Sequence, residues 1–115
     1  MTVEDIQGIC KALPAVTEDI KWGNDLVFSI GGRMFCVVSL DASFKCSFKV
    51  KDEAFEQLIN ADGFMPAPYM ARAKWVLVTN PSRLSKKEWE LYIKQSYELV
   101  KKKLTKKLRE QLGIQ

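Results

Sequence analysis

No histidine occurs in the sequence. The commonest general base and the commonest transition-metal ligand are therefore missing, and proton transfer near neutral pH would fall to perturbed carboxylates, lysines or thiols. Cysteine is scarce, and Cys10, Cys36 and Cys46 stand far apart with no CxxC spacing. Three such thiols make no disulfide framework, and zinc held by cysteine alone would lack a fourth ligand. They read as free, buried, small apolar residues in a reducing cytoplasm. No metal and no cofactor is expected. No apolar run approaches the roughly 18 residues that suggest a membrane span, and the opening stretch carries Glu4 and Asp5 where a secretory signal would carry basic residues. A chain neither exported nor inserted is the expectation. Glycine-rich phosphate cradles are also lacking, because Gly31-Gly32 stands between two strand-like runs and not before a helix.

What is present is the balance of a folded chain. Its 115 residues are 47% apolar and 28% charged, enough for one core and one domain spanning residues 1–115. The net charge of +4 is unevenly placed. Residues 1–84 hold 9 basic and 10 acidic side chains, whereas residues 85–115 hold 9 basic and 4 acidic, so the positive excess belongs to the C-terminal segment.

Thr2 with Asp5 three residues on predicts a capped first helix whose apolar positions are Ile6, Ile9, Cys10 and Leu13, ended by Pro14. Residues 16–24 lack a sustained period and read as a long connecting loop. Leu26 to Ile30, Gly31-Gly32 and Arg33 to Leu40 predict a hairpin with a two-residue primed turn, its second strand apolar at nearly every position. Phe44, Cys46 and Phe48 alternate with Lys45, Ser47 and Lys49, a third strand with one wet face. Asp52 is placed as the cap of a second helix that Gly63 stops. Two prolines make residues 64–73 a loop, followed by a fourth strand, residues 74–79. Ser85 with Glu88 caps a long last helix, with an apolar stripe from Trp89 through Leu104 to Leu108 and Gly113 as its stop. The expected fold is α+β: a two-layer sandwich of an antiparallel sheet with N-terminal, middle and long C-terminal helices, one sheet face open or partly covered.

Two candidate sites follow. Lys94, Lys101, Lys102, Lys106 and Arg109 fall off the apolar stripe, and Arg33, Lys45, Lys49 and Lys51 would lie on or beside one sheet surface, with Arg72 and Lys74 at the entry to the fourth strand. Together they make a phosphate-contacting surface for DNA, without sequence preference because no base-reading helix is visible. The plain alternative is a solvated helix face and lysines that guard a sheet edge. The second candidate is a small-molecule or protein-interaction site made by Trp22 and the Pro66–Tyr69 loop, since aromatic residues beside turns can line a pocket. Trp75, Trp89, Phe28 and Phe48 are assigned to the core. Adjacent carboxylates at Glu4-Asp5, Glu18-Asp19 and Asp52-Glu53 are what loops and helix starts produce anyway, so the chain is read as a non-enzyme. The exception would be Glu18 or Asp19 beside Lys49 or Arg72 in a cleft.

The motifs Leu13-Pro14-x-Val16-Thr17-Glu18, Trp22-Gly23, Gly31-Gly32-Arg33-Met34-Phe35, Phe48-Lys49-Val50-x-Asp52, Pro68-Tyr69-Met70, Lys74-Trp75-Val76 and Ser96-Tyr97-Glu98-Leu99-Val100 occur in an order that resembles the MmcQ/YjbR family of small bacterial proteins. The resemblance runs from about Ile9 to Leu104. It implies a frataxin-like (CyaY-like) sandwich and a DNA-binding role in which strand hairpins act as paired wings; apart from the resemblance, a monomer is expected. Many members carry a histidine and an asparagine in the loop before the second tryptophan, where this chain has Tyr69 and Ala71. The frataxin likeness also raises iron binding along an acidic first helix, for which only Glu4 and Asp5 are available.

Overall fold

The computed structural model describes residues 1–114. The first helix, α1 (Val3–Lys11), opens on a reciprocal cap. Thr2 Oγ1 accepts from the Asp5 N–H at 3.2 Å, and the Asp5 carboxylate accepts from the Thr2 N–H at 2.9 Å. Those bonds hold the Asp5 carboxyl below the usual carboxylate range. Ile6 and Cys10 are the buried face of α1.

Residues 16–24 depart from the expected loop. Val16–Lys21 is a strand, β1, paired antiparallel with β2 (Asp25–Ile30) from Val16↔Ile30 to Lys21↔Asp25. Its residues are exposed beyond Val16 because β1 is the sheet edge. An edge strand has little apolar surface to bury, so the alternation that marks a strand in sequence is missing. The expected Gly31-Gly32 turn is present, with φ of 58° and 81°, and joins β2 to β3 (Arg33–Ser39). A Cβ at Gly31 would stand 2.8 Å from a Leu104 methyl, so this turn needs glycine for closeness as well as for conformation.

The chain continues through β4 (Cys46–Lys49), α2 (Asp52–Leu58), β5 (Phe64–Pro66), β6 (Trp75–Val78), α3 (Lys86–Lys101) and α4 (Lys106–Gln111). The sheet is antiparallel, six-stranded, in the order β1-β2-β3-β4-β6-β5. Three further expectations are corrected. Phe64–Pro66 is a short edge strand and not loop, possible for a proline-bearing segment because an edge strand needs only one row of partners. The N-cap of α2 is Lys51, with Asp52 as first helical residue where its charge favours the helix dipole. The long last helix is two helices. At about 1.5 Å per residue α3 already spans about 24 Å. Thr105 then starts α4 by accepting from the Leu108 N–H at 3.1 Å, and the break lets Leu104 turn back onto the Gly31 turn.

One sheet face carries the core. Leu26, Phe28, Cys36, Val38, Cys46, Phe48, Val76 and Val78 are buried together with Ile6 and Cys10 of α1, Phe55 of α2 and Trp89, Ile93, Tyr97 and Val100 of α3. Trp89 meets Phe44 and Phe48 edge-on, and Tyr97 meets Phe35 at 5.4 Å between ring centres. Every helix gives its apolar side to this face. The opposite face, where Val37 pairs with Ser47 and Ser47 with Leu77, receives no helix among the described residues.

Candidate functional site

The uncovered face is the floor of a groove of about 670 Å³, in which Met34, Val37, Ser47, Trp75 and Leu77 form the bottom. Two turns make its walls. Trp22 comes from the β1–β2 hairpin loop, and Ala67, Pro68, Tyr69 and Met70 come from the segment after β5. Asp25, Ser39, Asp41 and Lys45 supply the polar lining. The sequence placed Trp22 and Tyr69 together as an alternative site, and the structure brings both to one cavity. It missed the floor, because Val37 and Leu77 read as ordinary strand interior and Trp75 as core. Trp75 is buried, but it stands outside the helix-side cluster.

Both walls use backbone that ordinarily belongs to glycine. The Met70 N–H donates to the Ala67 carbonyl at 3.0 Å, closing a turn with Pro68 second and Tyr69, at φ 65°, third. That is the pattern of a type II turn, whose third position favours glycine. The Ala67 N–H donating to Trp75 O and the Trp75 N–H donating to Met70 O pin this turn to β6. In the hairpin loop Trp22 has φ 53° beside Gly23 at 82°. The Leu40 N–H donating to Asn24 O, and the Asn24 side-chain amide donating to Asp41, brace it. Left-handed backbone costs an ordinary residue about 1–2 kcal/mol. Trp22 is nevertheless 68% exposed and Tyr69 fully so. Neither backbone ease nor burial accounts for a large aromatic at either place.

The basic residues proposed for DNA fall into three groups. Arg33 follows the Gly31-Gly32 turn, Lys49 ends β4, Lys51 caps α2, Arg72 and Lys74 precede β6, and Lys101 ends α3. These six share one end of the molecule, where Leu104 packs on Gly31, the Lys49 N–H donates to Ser96 of α3, and the Val50 N–H donates to Lys74 O. Lys45 lies at the other end of its strand and lines the groove. Lys94 lines a separate cavity of about 900 Å³ along α1 and α3, together with Glu4, Asp5 and Glu90. Several of the six are engaged. Lys49 Nζ donates to Ala73 O, Lys74 stands over the Phe55 ring at 5.0 Å, and Lys101 lies over Tyr97 and pairs with Glu98 at 3.2 Å. Burial first, then the charges of Lys103 and Lys74, pull the Lys49 ammonium below its ordinary pKa, with Asp52 opposing. Lys103, which the sequence did not single out, therefore belongs to this end.

The proposed acid–base exception is not assembled. Glu18 lies against Lys11 at 3.9 Å and accepts from Gln7 at 2.6 Å, on an edge strand three positions from the strand of Lys49. The three cysteines, by contrast, meet. Cys36 and Cys46 sulfurs are 3.7 Å apart, and Cys10 of α1 closes on Cys36 from the helix layer. Burial pushes the Cys46 thiol up, and the hydrogen bond to Cys36 together with burial does so for Cys10. Among the described residues no group of three Cys, Asp or Glu is arranged to hold a metal ion, and no helix is long and apolar enough to cross a membrane.

None of the curated proteins matches the chain. A crystal structure of a protein from Pseudomonas syringae is similar in fold, with a TM-score of 0.72 over 86% of this chain and 98% of that one, at 18% identity. The YjbR family matches residues 11–99. That match takes in all six strands, both aromatic turns and most of α3, and stops short of α4. The residues that line the groove all fall within the matched span, and the chain belongs to the YjbR family.

Proposed function

We propose that the chain is a binding module whose site is the open-face groove. The observation that supports this reading is the pair of exposed aromatic side chains, Trp22 and Tyr69, held on left-handed backbone around an uncovered apolar floor. Strain kept at a place where it brings no burial is typical of functional surfaces. A groove of this size, mostly apolar with a few polar groups at the rim, suits a small ligand. The test is a titration of isotope-labelled protein with a library of small fragments, followed by amide and indole chemical shifts. Binders are expected to move Trp22, Val37, Ser47 and Leu77 together. Shifts confined to other surfaces would sink the reading.

A second reading, nucleic-acid binding, is favoured by the gathering of Arg33, Lys49, Lys51, Arg72, Lys74 and Lys103 at one end. The charges of Lys103 and Lys74 oppose the partly buried Lys49 ammonium, and a polyanion laid across them would relieve that repulsion. The contact surface is then this pole and not all the basic residues as a set, because Lys45 lines the groove and Lys94 the cavity along α1 and α3. Binding of a short DNA duplex is expected to weaken with salt, and Arg33→Ala or Lys103→Ala should each lower the log–log salt slope by about 1. Affinity should also fall as pH rises through the depressed Lys49 pKa, since the bound state favours the protonated amine. Unchanged salt slopes in both variants would remove this reading.

A further inference from the structure

We infer that the groove selects an organic cation, a quaternary or protonated ammonium group; the inference rests on the groove being a ligand site. Three observations point there. The first is the sign of its charge. In a chain of net charge +4, the ionisable acids and bases of the lining are Asp25 and Asp41 against Lys45, a local balance of −1. Among the described residues neither aspartate forms an ion pair, since the pairs present are Lys11 with Glu18 and Lys101 with Glu98. The Asp41 carboxylate accepts from a neutral donor, the Asn24 side-chain amide, while the Asp41 backbone N–H donates to Ser39 Oγ at 3.1 Å. One negative charge is therefore left over in the lining, beyond what Lys45 offsets.

The second is the aromatic content. Trp22, Tyr69 and Trp75 all contribute to the lining. The electron-rich face of an indole or phenol ring attracts a cation, tryptophan most strongly, and an anion gains nothing there. The third is the way the rings are presented. Trp22 and Tyr69 stand out on braced turns rather than in the sheet, so their faces are open to a ligand while their backbones are held. Aromatic walls with nearby carboxylates suit a weakly hydrated cation, which loses less on leaving water than a small, strongly hydrated one. Lys45 is the counterweight, and its removal should strengthen binding.

The experiment uses the full chain and three probes of similar size and differing charge: choline, the neutral 3,3-dimethylbutan-1-ol and the anionic isethionate. Amide and indole shifts and tryptophan emission report each titration; Trp22 is the exposed one of the three tryptophans. Choline is expected to shift the groove residues with about tenfold higher affinity than the neutral alcohol, and isethionate to leave them unmoved. Asp25→Asn and Asp41→Asn should each weaken choline severalfold, Trp22→Ala should abolish the response, and Lys45→Met should tighten it. Melting curves of the variants confirm that they are folded. Equal affinity for choline and the alcohol, preference for isethionate, or silence from choline while fragments still occupy the groove would overturn the cation assignment and leave the groove standing. Silence from the fragments as well would remove both.

Discussion

Ser96→Ala is expected to lower the unfolding free energy by about 2–4 kcal/mol and the melting temperature by about 10 °C or more, although it deletes a single oxygen. Ser96 is fully buried on α3. Its hydroxyl accepts from the Lys49 N–H at 2.9 Å and donates to the Phe35 carbonyl at 2.6 Å. Phe35 sits where the β2–β3 register shifts, Phe28 pairing with Cys36 and Ser29 with Met34, so it has no partner in the ladder. Such a bulge leaves a residue outside the regular pairing. One serine thus satisfies the bulge and the end of β4, and joins the helix layer to two central strands. Alanine would strand a buried donor and a buried acceptor, each costing about 1–3 kcal/mol. Urea unfolding of Ser96→Ala beside Ser47→Ala, on the open face, supplies the comparison, the latter expected within about 0.5 kcal/mol of the parent. A loss below about 1 kcal/mol for Ser96→Ala would mean that both bonds are replaced on relaxation.

The second large effect separates stability from binding. Trp22→Gly and Tyr69→Gly are each expected to leave stability unchanged or raise it by up to about 1 kcal/mol, while removing most ligand response in the groove. Glycine relieves the left-handed backbone, at 53° and 65°, and gives up part of that gain to a more flexible unfolded chain. Trp22→Ala and Tyr69→Ala keep the strain and lose the ring, so each should be about 1 kcal/mol less stable than its glycine counterpart. Denaturant curves for the four variants, with fragment titration of each, test the pair of claims. Should alanine and glycine prove equal in stability, the backbone carries no strain there. Large destabilisation by all four would make the aromatics structural and remove the main support for the groove.

Most of the helix starts and the central hairpin were legible because they depend on residues within a few positions of one another. Thr2 with Asp5 and Ser85 with Glu88 are caps that close over three residues. The Gly31-Gly32 turn depends on two adjacent φ angles. The edge strands β1 and β5 were not legible, since their pairing comes from β2 and β6 and leaves no apolar period of its own. The split of the last helix was half visible. Its stripe from Trp89 to Leu108 reads as continuous, and only the position of the sheet end shows why Thr105 starts a new helix. The cysteines gave no spacing to read, because α1, β3 and β4 carry one each and meet only when helix and sheet pack.

The same division holds for the sites. The amino-acid order alone determined that aromatic residues would stand at two turns and that basic residues would concentrate late in the chain, both being properties of short stretches. Tertiary structure decided that Trp22 and Tyr69 share one groove, that Lys45 and Lys94 part from the other cations, and that Asp25 and Asp41 line the same groove as the aromatics. The reason is that a sheet has two faces, and which of them the helices cover follows from the packing of α1 and α3 on the Phe28, Cys36 and Phe48 side, a choice made by contacts between residues distant in the chain.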